Sequence, residues 1–304
     1  MNVITIDSAH SSHLLRLATY ASVATALVLI AGKIAAWLMT GSVSVMASLV
    51  DSMLDAAASI VNLLAVRYSL MPPDRDHRFG HGKAEPLAGL GQAAFIAGSA
   101  VFLTLQAIER LLHPQPLRDL AVGIGVMVFA IAATLVLVMF QRHVIARTNS
   151  TAIRADALHY FTDLITNTST IVALVLAYLG WPGMDAVFAL GIAAYILYSA
   201  FQIGVEAVQL LMDHELPEDD KRQIVEIASR HPAVRGVHDL RTRRSGQTYF
   251  IQCHLEFDGA MSLQAAHAAS DEVFFDLQKA FPNADVIIHE DPAGVEDPAH
   301  TQKL

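Results

Sequence analysis

Two pairs of residues in this chain have the types and spacing to bind a metal ion. Asp51 and Asp55 stand four apart inside an apolar run from Ser42 to Leu70, and His159 and Asp163 repeat the interval early in a later apolar run. An α-helix turns once per 3.6 residues, so side chains four apart share a face. An ionisable side chain inside a membrane span costs roughly 3 kcal/mol on insertion scales, so it faces an interior and serves a pathway. Three carboxylates and one imidazole from two helices can converge on a divalent cation, and a set of one nitrogen and three oxygens suits Zn²⁺. The sequence therefore predicts one intramembrane metal site at Asp51, Asp55, His159 and Asp163.

The elements around those pairs must be membrane helices. Of 304 residues, 54% are hydrophobic and 16% charged, with mean hydropathy +0.43. A soluble domain is nearer one-quarter charged. Six apolar blocks, at about 14–38, 42–70, 87–110, 119–141, 153–179 and 186–210, each reach the roughly 20 residues that a hydrocarbon core requires. The first reads as a span rather than a cleavable leader. Net charge is −9, and no clustered basic face speaks for nucleic acid. The single cysteine, Cys253, excludes an intrachain disulfide and a cysteine-rich zinc module.

Orientation follows from Lys and Arg near the helix ends. Arg67, Arg75, Arg78 and Lys83 follow the second block, and Arg142, Arg147 and Arg154 follow the fourth, whereas Met39–Gly41 and Gly180–Gly183 carry none. Both termini are thus expected in the cytoplasm, with Arg110 and Arg118 in the third-to-fourth connection a modest exception. The second block sets Ser48, Asp51, Asp55, Ser59 and Asn62 on one stripe, and the fifth does the same with His159, Asp163, Thr166 or Asn167, and Thr170. The third carries Gly89, Gly91, Ala94, Gly98 and Ser99, small residues that allow close helix approach. Lys33 in the first block has no evident counter-charge and is expected to snorkel or pair.

From Asp213 the pattern becomes short and mixed. Pro217–Ser229 reads as an amphipathic helix, Val234–Thr242 and Thr248–Phe257 as strands joined at Arg244–Gln247, Ser262–Phe281 as a helix capped by Ser262, and Ala284–His289 as a last strand. The order αββαβ predicts a small ferredoxin-like or metallochaperone-like α+β sandwich on the cytoplasmic side. The fold class is a six-transmembrane-helix bundle with that domain attached. The division is a cytoplasmic tail over 1–13, transport domain 14–212, cytoplasmic domain 213–292, and a disordered tail 293–304.

Two further ligand sets stand out. Asp74, His77 and His81 lie in the loop after the second block, with Asp76 as an alternative acid. His238, His254, His267, His289 and Asp291 are spread over the strands and second helix of the C-terminal part. His231 and His300 read as solvated, and Cys253 as a core residue facing away from His254.

With Asp51-x-x-x-Asp55, His159-x-x-x-Asp163, Phe79-Gly-His-Gly-Lys-Ala-Glu85 and Leu211-Met-Asp-His-Glu215, the chain resembles the cation diffusion facilitator family along nearly its whole length. The match is best to its bacterial zinc and ferrous-iron efflux members. The resemblance implies a homodimeric Zn²⁺/H⁺ antiporter of the bacterial inner membrane, not an enzyme. Its transport site would be Asp51, Asp55, His159 and Asp163, its loop site Asp74, His77 and His81. A binuclear cytoplasmic site would use His238, His254, His267, His289 and Asp291, and Lys83 with Asp213 would form a charge interlock. Metal needs neutral imidazole and ionised carboxylates, so protons and cation compete for the same lone pairs. Cd²⁺, Fe²⁺ and Mn²⁺ are the alternative cargoes, with the single imidazole favouring Zn²⁺ and Cd²⁺.

Two rival classes fit the residues less well. An intramembrane metalloprotease would need a general base beside its ligands, as in His-Glu-x-x-His, and that motif is absent. A membrane-anchored metal sensor would use the cytoplasmic histidines, but it would not need the polar stripes of the second and fifth blocks.

Overall fold

The computed structural model describes residues 8–40, 43–112, 120–179 and 184–294. Residues 1–7, 41–42, 113–119 and 180–183 and the C-terminal tail from residue 295, with His300, lie outside the described residues. The chain divides into two compact units, one from Ser11 to Val208 and one from Gln209 onward that also takes in Ser8–His10.

The first unit is helical. Helices α1 (Ser8–Thr40), α2 (Val43–Ser69), α3 (Ala84–Leu112), α4 (Leu120–Thr148), α5 (Thr151–Tyr178) and α6 (Met184–Leu211) follow one another. α4 runs beyond its apolar block to Thr148, which puts Arg142 and Arg147 on helix rather than loop; the Arg142 guanidinium lies over the Phe161 ring, 4.9 Å from its centre. Among the described residues, four stretches are long and apolar enough to cross a membrane: Ser11–Met39, Ala84–Glu109, Met127–Thr148 and Val187–Leu211. They belong to α1, α3, α4 and α6. α2 and α5 carry the polar stripes.

Those stripes turn inward. On α2, Ser59 and Asn62 of the stripe are buried, as is Ser52 beside it, while Leu54, Val61 and Leu64 are exposed and available to lipid. α5 is the most enclosed helix: Ala152, Ile153, Ala155, Asp156 and Tyr160 are all buried, and it packs on α2, α3 and α4. Gly89 permits one close approach. A Cβ there would meet the backbone carbonyl carbon and oxygen of Thr151 at 3.3 Å. The other small residues of α3 behave differently from expectation: Gly91, Ala94, Gly98 and Ser99 are exposed, and the inward face is Gly89, Ala93, Ile96 and Ala100. Lys33 does pair: its Nζ donates to Ser52 Oγ at 2.6 Å.

The second unit has the expected order. α7 (Glu218–Ser229), β1 (Gly236–Ser245), β2 (Thr248–Phe257), α8 (Leu263–Ala280) and β3 (Ala284–Pro292) form a three-stranded sheet in the order β1-β2-β3. β1 and β2 are antiparallel, and β3 returns parallel to β2 after α8. The hairpin needs only two loop residues, because Ser245 already pairs with Thr248 and Gly246 takes φ 58° at the first central position. The expected four-residue turn is therefore tighter. Ser262 caps α8, its Oγ accepting the Ala265 N–H at 3.3 Å.

Period-two alternation sorts the faces of the sheet. Ile251, Cys253, Leu255 and Phe257 of β2 join Ile224 and Ala228 of α7 and Val273 and Leu277 of α8 in one core. Gln252, His254 and Glu256 point the other way. Burial pushes the Cys253 thiol up to about 12. His231 is not solvated: its ring is largely covered, Nδ1 accepts the Ala233 N–H at 3.2 Å, and Nε2 lies 3.2 Å from Glu272.

Candidate metal centres

Among the described residues, three groups bring carboxylate oxygens and imidazole nitrogens within 4.8 Å of one another: Asp55, His159 and Asp163; Asp74, His77 and His81; and His238, His254 and Asp291. All nine were expected as ligands from sequence. Zinc bonds of about 2.0–2.1 Å place ligand atoms of a tetrahedron roughly 3.3 Å apart. The contacts within each group can be held against that spacing.

In the first group, α2 supplies Asp55 and α5 supplies His159 and Asp163. His159 Nε2 lies 3.0 Å from Asp55 Oδ1, with both side chains largely buried. The pair is close but not aligned as a hydrogen bond, and this buried nitrogen has no hydrogen-bond partner. Two groups aimed at a third atom between them have this geometry. Phe95 of α3 and Tyr160 set their rings edge-on to the imidazole, at 6.4 Å and 5.5 Å between centres. Asp51 belongs to the same helix, four residues before Asp55; its side chain lies outside the described residues.

The second group is assembled by a turn. Asp74 Oδ1 accepts the backbone N–H of His77 at 2.6 Å and of Asp76 at 2.9 Å, which leaves Oδ2 for His81 Nε2 at 3.2 Å. The His77 hydrogen bond, foremost, holds the Asp74 carboxyl below the usual carboxylate range. Gly80 supplies the φ of 81° that turns the chain into α3. His81 is buried, and neither ring nitrogen has a hydrogen-bond partner. Tyr68, at the end of α2, stacks edge-on against His81 at 4.5 Å.

The third group is a row across three strands. His238 of β1 pairs with His254 of β2, which pairs with His289 of β3. Asp291, two residues on, reaches back to all of them. Its Oδ2 lies 2.8 Å from His254 Nδ1 and 3.2 Å from His238 Nε2, and its Oδ1 lies 3.2 Å from His289 Nε2. His289 is largely exposed, its ring centre 4.6 Å from that of His254. His267, on α8, is also exposed and sits beside Asp271 and Glu290 instead, at 3.7 Å and 3.6 Å.

Some neighbours of these groups were not read from sequence. A β-bulge between His238 and Arg241 turns Asp239 inward, at φ 43°, with its carboxylate 3.7 Å from His254 Nε2. Glu256 approaches His238 Nδ1 at 3.3 Å. Asp156 lies fully buried one turn before His159. Only Asp156 left a signal, as a second carboxylate on the fifth apolar block; the bulge could not be counted from alternation alone. Of the expected interlock, Lys83 belongs to the first unit, and Asp213, with φ 59°, sits in the second at 3.3 Å from Arg243 Nη1.

Comparison with known proteins bears on this arrangement. Residues 19–212 match the model of the cation efflux transmembrane domain, and residues 216–293 that of the cation efflux protein cytoplasmic domain. The chain is 53% identical over 278 residues to the cation-efflux pump FieF of Yersinia pestis, covering 91% of this chain and 93% of that one. FieF of Yersinia pseudotuberculosis matches to the same extent. Among solved structures, the metal-bound C-terminal domain of the CzcD transporter from Thermotoga maritima is 32% identical, covers 26% of this chain and 93% of that one, and has a TM-score of 0.25. The chain is a multi-pass membrane transporter, not an enzyme, and it belongs to the cation diffusion facilitator family of cation efflux proteins, in the FieF type.

Proposed function

We propose that the chain exports Zn²⁺ from the cytoplasm in exchange for protons, as a homodimer in the bacterial inner membrane with both termini cytoplasmic. Residues 14–212 form the transport domain and residues 213–292 the regulatory one. The observation that carries this reading is the meeting of Asp55, His159 and Asp163 from two inward-facing polar stripes. Asp51 completes the set as a fourth ligand. Cd²⁺ and Fe²⁺ are further cargoes that a site of mixed nitrogen and oxygen donors accepts.

Exchange follows from competition for lone pairs. With the site open to the cytoplasm, imidazole and carboxylates hold the cation. Once it opens outward, protons arriving on His159 and the aspartates displace it, because ligands must be deprotonated to bind. Lysine and arginine at the expected cytoplasmic ends support the orientation.

The loop group, Asp74, His77 and His81, binds a second ion beside the end of α2. The row His238, His254, His289 and Asp291, with His267, binds regulatory metal and draws two cytoplasmic domains together, and Lys83 with Asp213 carries that state to the helices. Orphaned nitrogens on His81 and His238 support both groups as metal centres.

Purified protein in liposomes with an imposed pH gradient tests the transport reading. Zn²⁺ flux should follow the gradient and vanish in Asp55→Ala and His159→Ala, with folding retained. Undiminished flux in both variants would remove these residues from the pathway, and flux indifferent to the gradient would remove the proton.

A further inference from the structure

Asp156 carries the inference that goes furthest beyond the ligands themselves. It is fully buried on α5, and its carboxylate accepts hydrogen bonds from three other helices. Ser22 Oγ of α1 donates at 2.5 Å, Gln141 Nε2 of α4 at 2.7 Å and Gln92 Nε2 of α3 at 3.2 Å. Gln141 Nε2 also lies 3.0 Å from Ser22 Oγ. One turn further along α5, the Tyr160 hydroxyl donates to the Ser22 carbonyl at 3.1 Å and meets Ser59 Oγ of α2 at 2.9 Å. A phenol has one proton, so Ser59 is the donor in that last pair.

The placement of this network matters. With 3.6 residues per turn, positions 156, 159, 160 and 163 fall within roughly 100° of one face of α5. Ser59 stands one turn from Asp55 on α2. The network thus touches both helices that bring ligands together, one turn from the ligands on each. Three donors converge on Asp156, and its carboxylate accepts from all of them. An amide there would set its own N–H₂ against a donor unless the Gln92 or Gln141 amide turned over to present its oxygen.

We propose that Asp156 is a positioning residue for the transport site. Its carboxylate, with the Tyr160 hydroxyl, fixes the rotation and depth of α5 against α1 to α4, so that His159 and Asp163 meet Asp55. This rests on the reading that those three residues hold the transported cation. Polar networks also bind membrane helices together without serving any site. The test must therefore read the cation as well as the fold.

Asp156→Asn in the full-length protein should raise the KM for Zn²⁺ in liposomes by about tenfold or more, the loss typical when a partner that orients a ligand is removed, while the maximal rate falls less. Asp156→Asn combined with Gln141→Glu exchanges donor for acceptor. The carboxylate introduced on α4 would accept from Ser22 and from the amide introduced on α5, and the carbonyl of that amide would accept from Gln92. The double variant should recover most of the lost affinity. An unchanged KM in Asp156→Asn overturns the proposal. So does a double variant as defective as the single one, since charge at position 156 rather than complementarity would then be the requirement. Should Asp156→Asn fail to fold, Tyr160→Phe keeps the ring and removes both hydroxyl contacts; a raised KM supports the proposal, and an unchanged KM overturns it. Asp55→Ala and His159→Ala measured alongside separate the two layers. Flux in those variants sinks the transport-site reading; its loss in them, with Asp156→Asn unaffected, sinks this inference alone.

Discussion

His254 Nδ1 lies 2.8 Å from Asp291 Oδ2 across the parallel pairing of β2 and β3. The same carboxylate faces His238 and His289, so one acid serves three imidazoles in a row. Asp291→Ala should lower Zn²⁺ affinity of the cytoplasmic domain by more than tenfold, since even the partners that orient metal ligands are worth that much. Zinc titration of the full-length protein, read with its mass in detergent, checks this. A variant that keeps its cytoplasmic zinc would show that the imidazole row binds without its shared acid.

Asp74 gives the loop group a definite response to acid. Its backbone hydrogen bond from His77 depresses the carboxyl pKa. A group depressed in the fold adds stability that is present above its unfolded pKa and is lost as pH falls through the folded value. The Asp74 turn should therefore persist as pH falls through the ordinary carboxylate value near about 3.9. Amide exchange of the His77 N–H followed across a pH series tests this; protection lost at or above about pH 4 would contradict it.

Gly89 marks a close approach of α3 to α5, with Thr151 backbone 3.3 Å from any added Cβ. Gly89→Leu should cost about 1–3 kcal/mol of stability, the usual penalty of overpacking. Gly98→Leu, at an exposed position with open space around it, should cost little. Thermal unfolding in detergent compares the two, and equal melting points would place the tight contact elsewhere.

Cys253 is buried in the core, and its thiol is pushed up to about 12. The thiolate is the reactive form. Maleimide at neutral pH should leave the folded protein unlabelled and label it fully in denaturant. Rapid native labelling would mean that the sheet core opens.

Much of this was legible in sequence because spacing encodes it. Four-residue intervals put Asp55 on one helix face and His159 with Asp163 on another, and the structure brings those three together. Alternation along Tyr249–Phe257 separated Cys253 from His254, as the fold has them. What spacing cannot encode is where a pattern slips or which face of an apolar helix wins. The bulge that turns Asp239 toward His254 depends on pairing with β2. On α3 the small residues are of a size that permits close helix approach, and of Gly89, Gly91 and Gly98 only the first meets another helix of this chain, because α5 packs on the other side from Gly98. His231 looked solvated because its partner, Glu272, is far along the chain. The donors that gather on Asp156 come from three helices, which no local interval reveals.

The central claim is that Asp55, His159 and Asp163, with Asp51, hold the exported cation. Equilibrium binding of Zn²⁺ to an Asp74→Ala, Asp291→Ala variant tests it most directly, because the other two groups are then disabled. The account expects one tightly bound zinc per chain to remain, and expects it to disappear together with flux when His159→Ala is added. Zinc still bound after that addition, or flux continuing without it, would contradict the account.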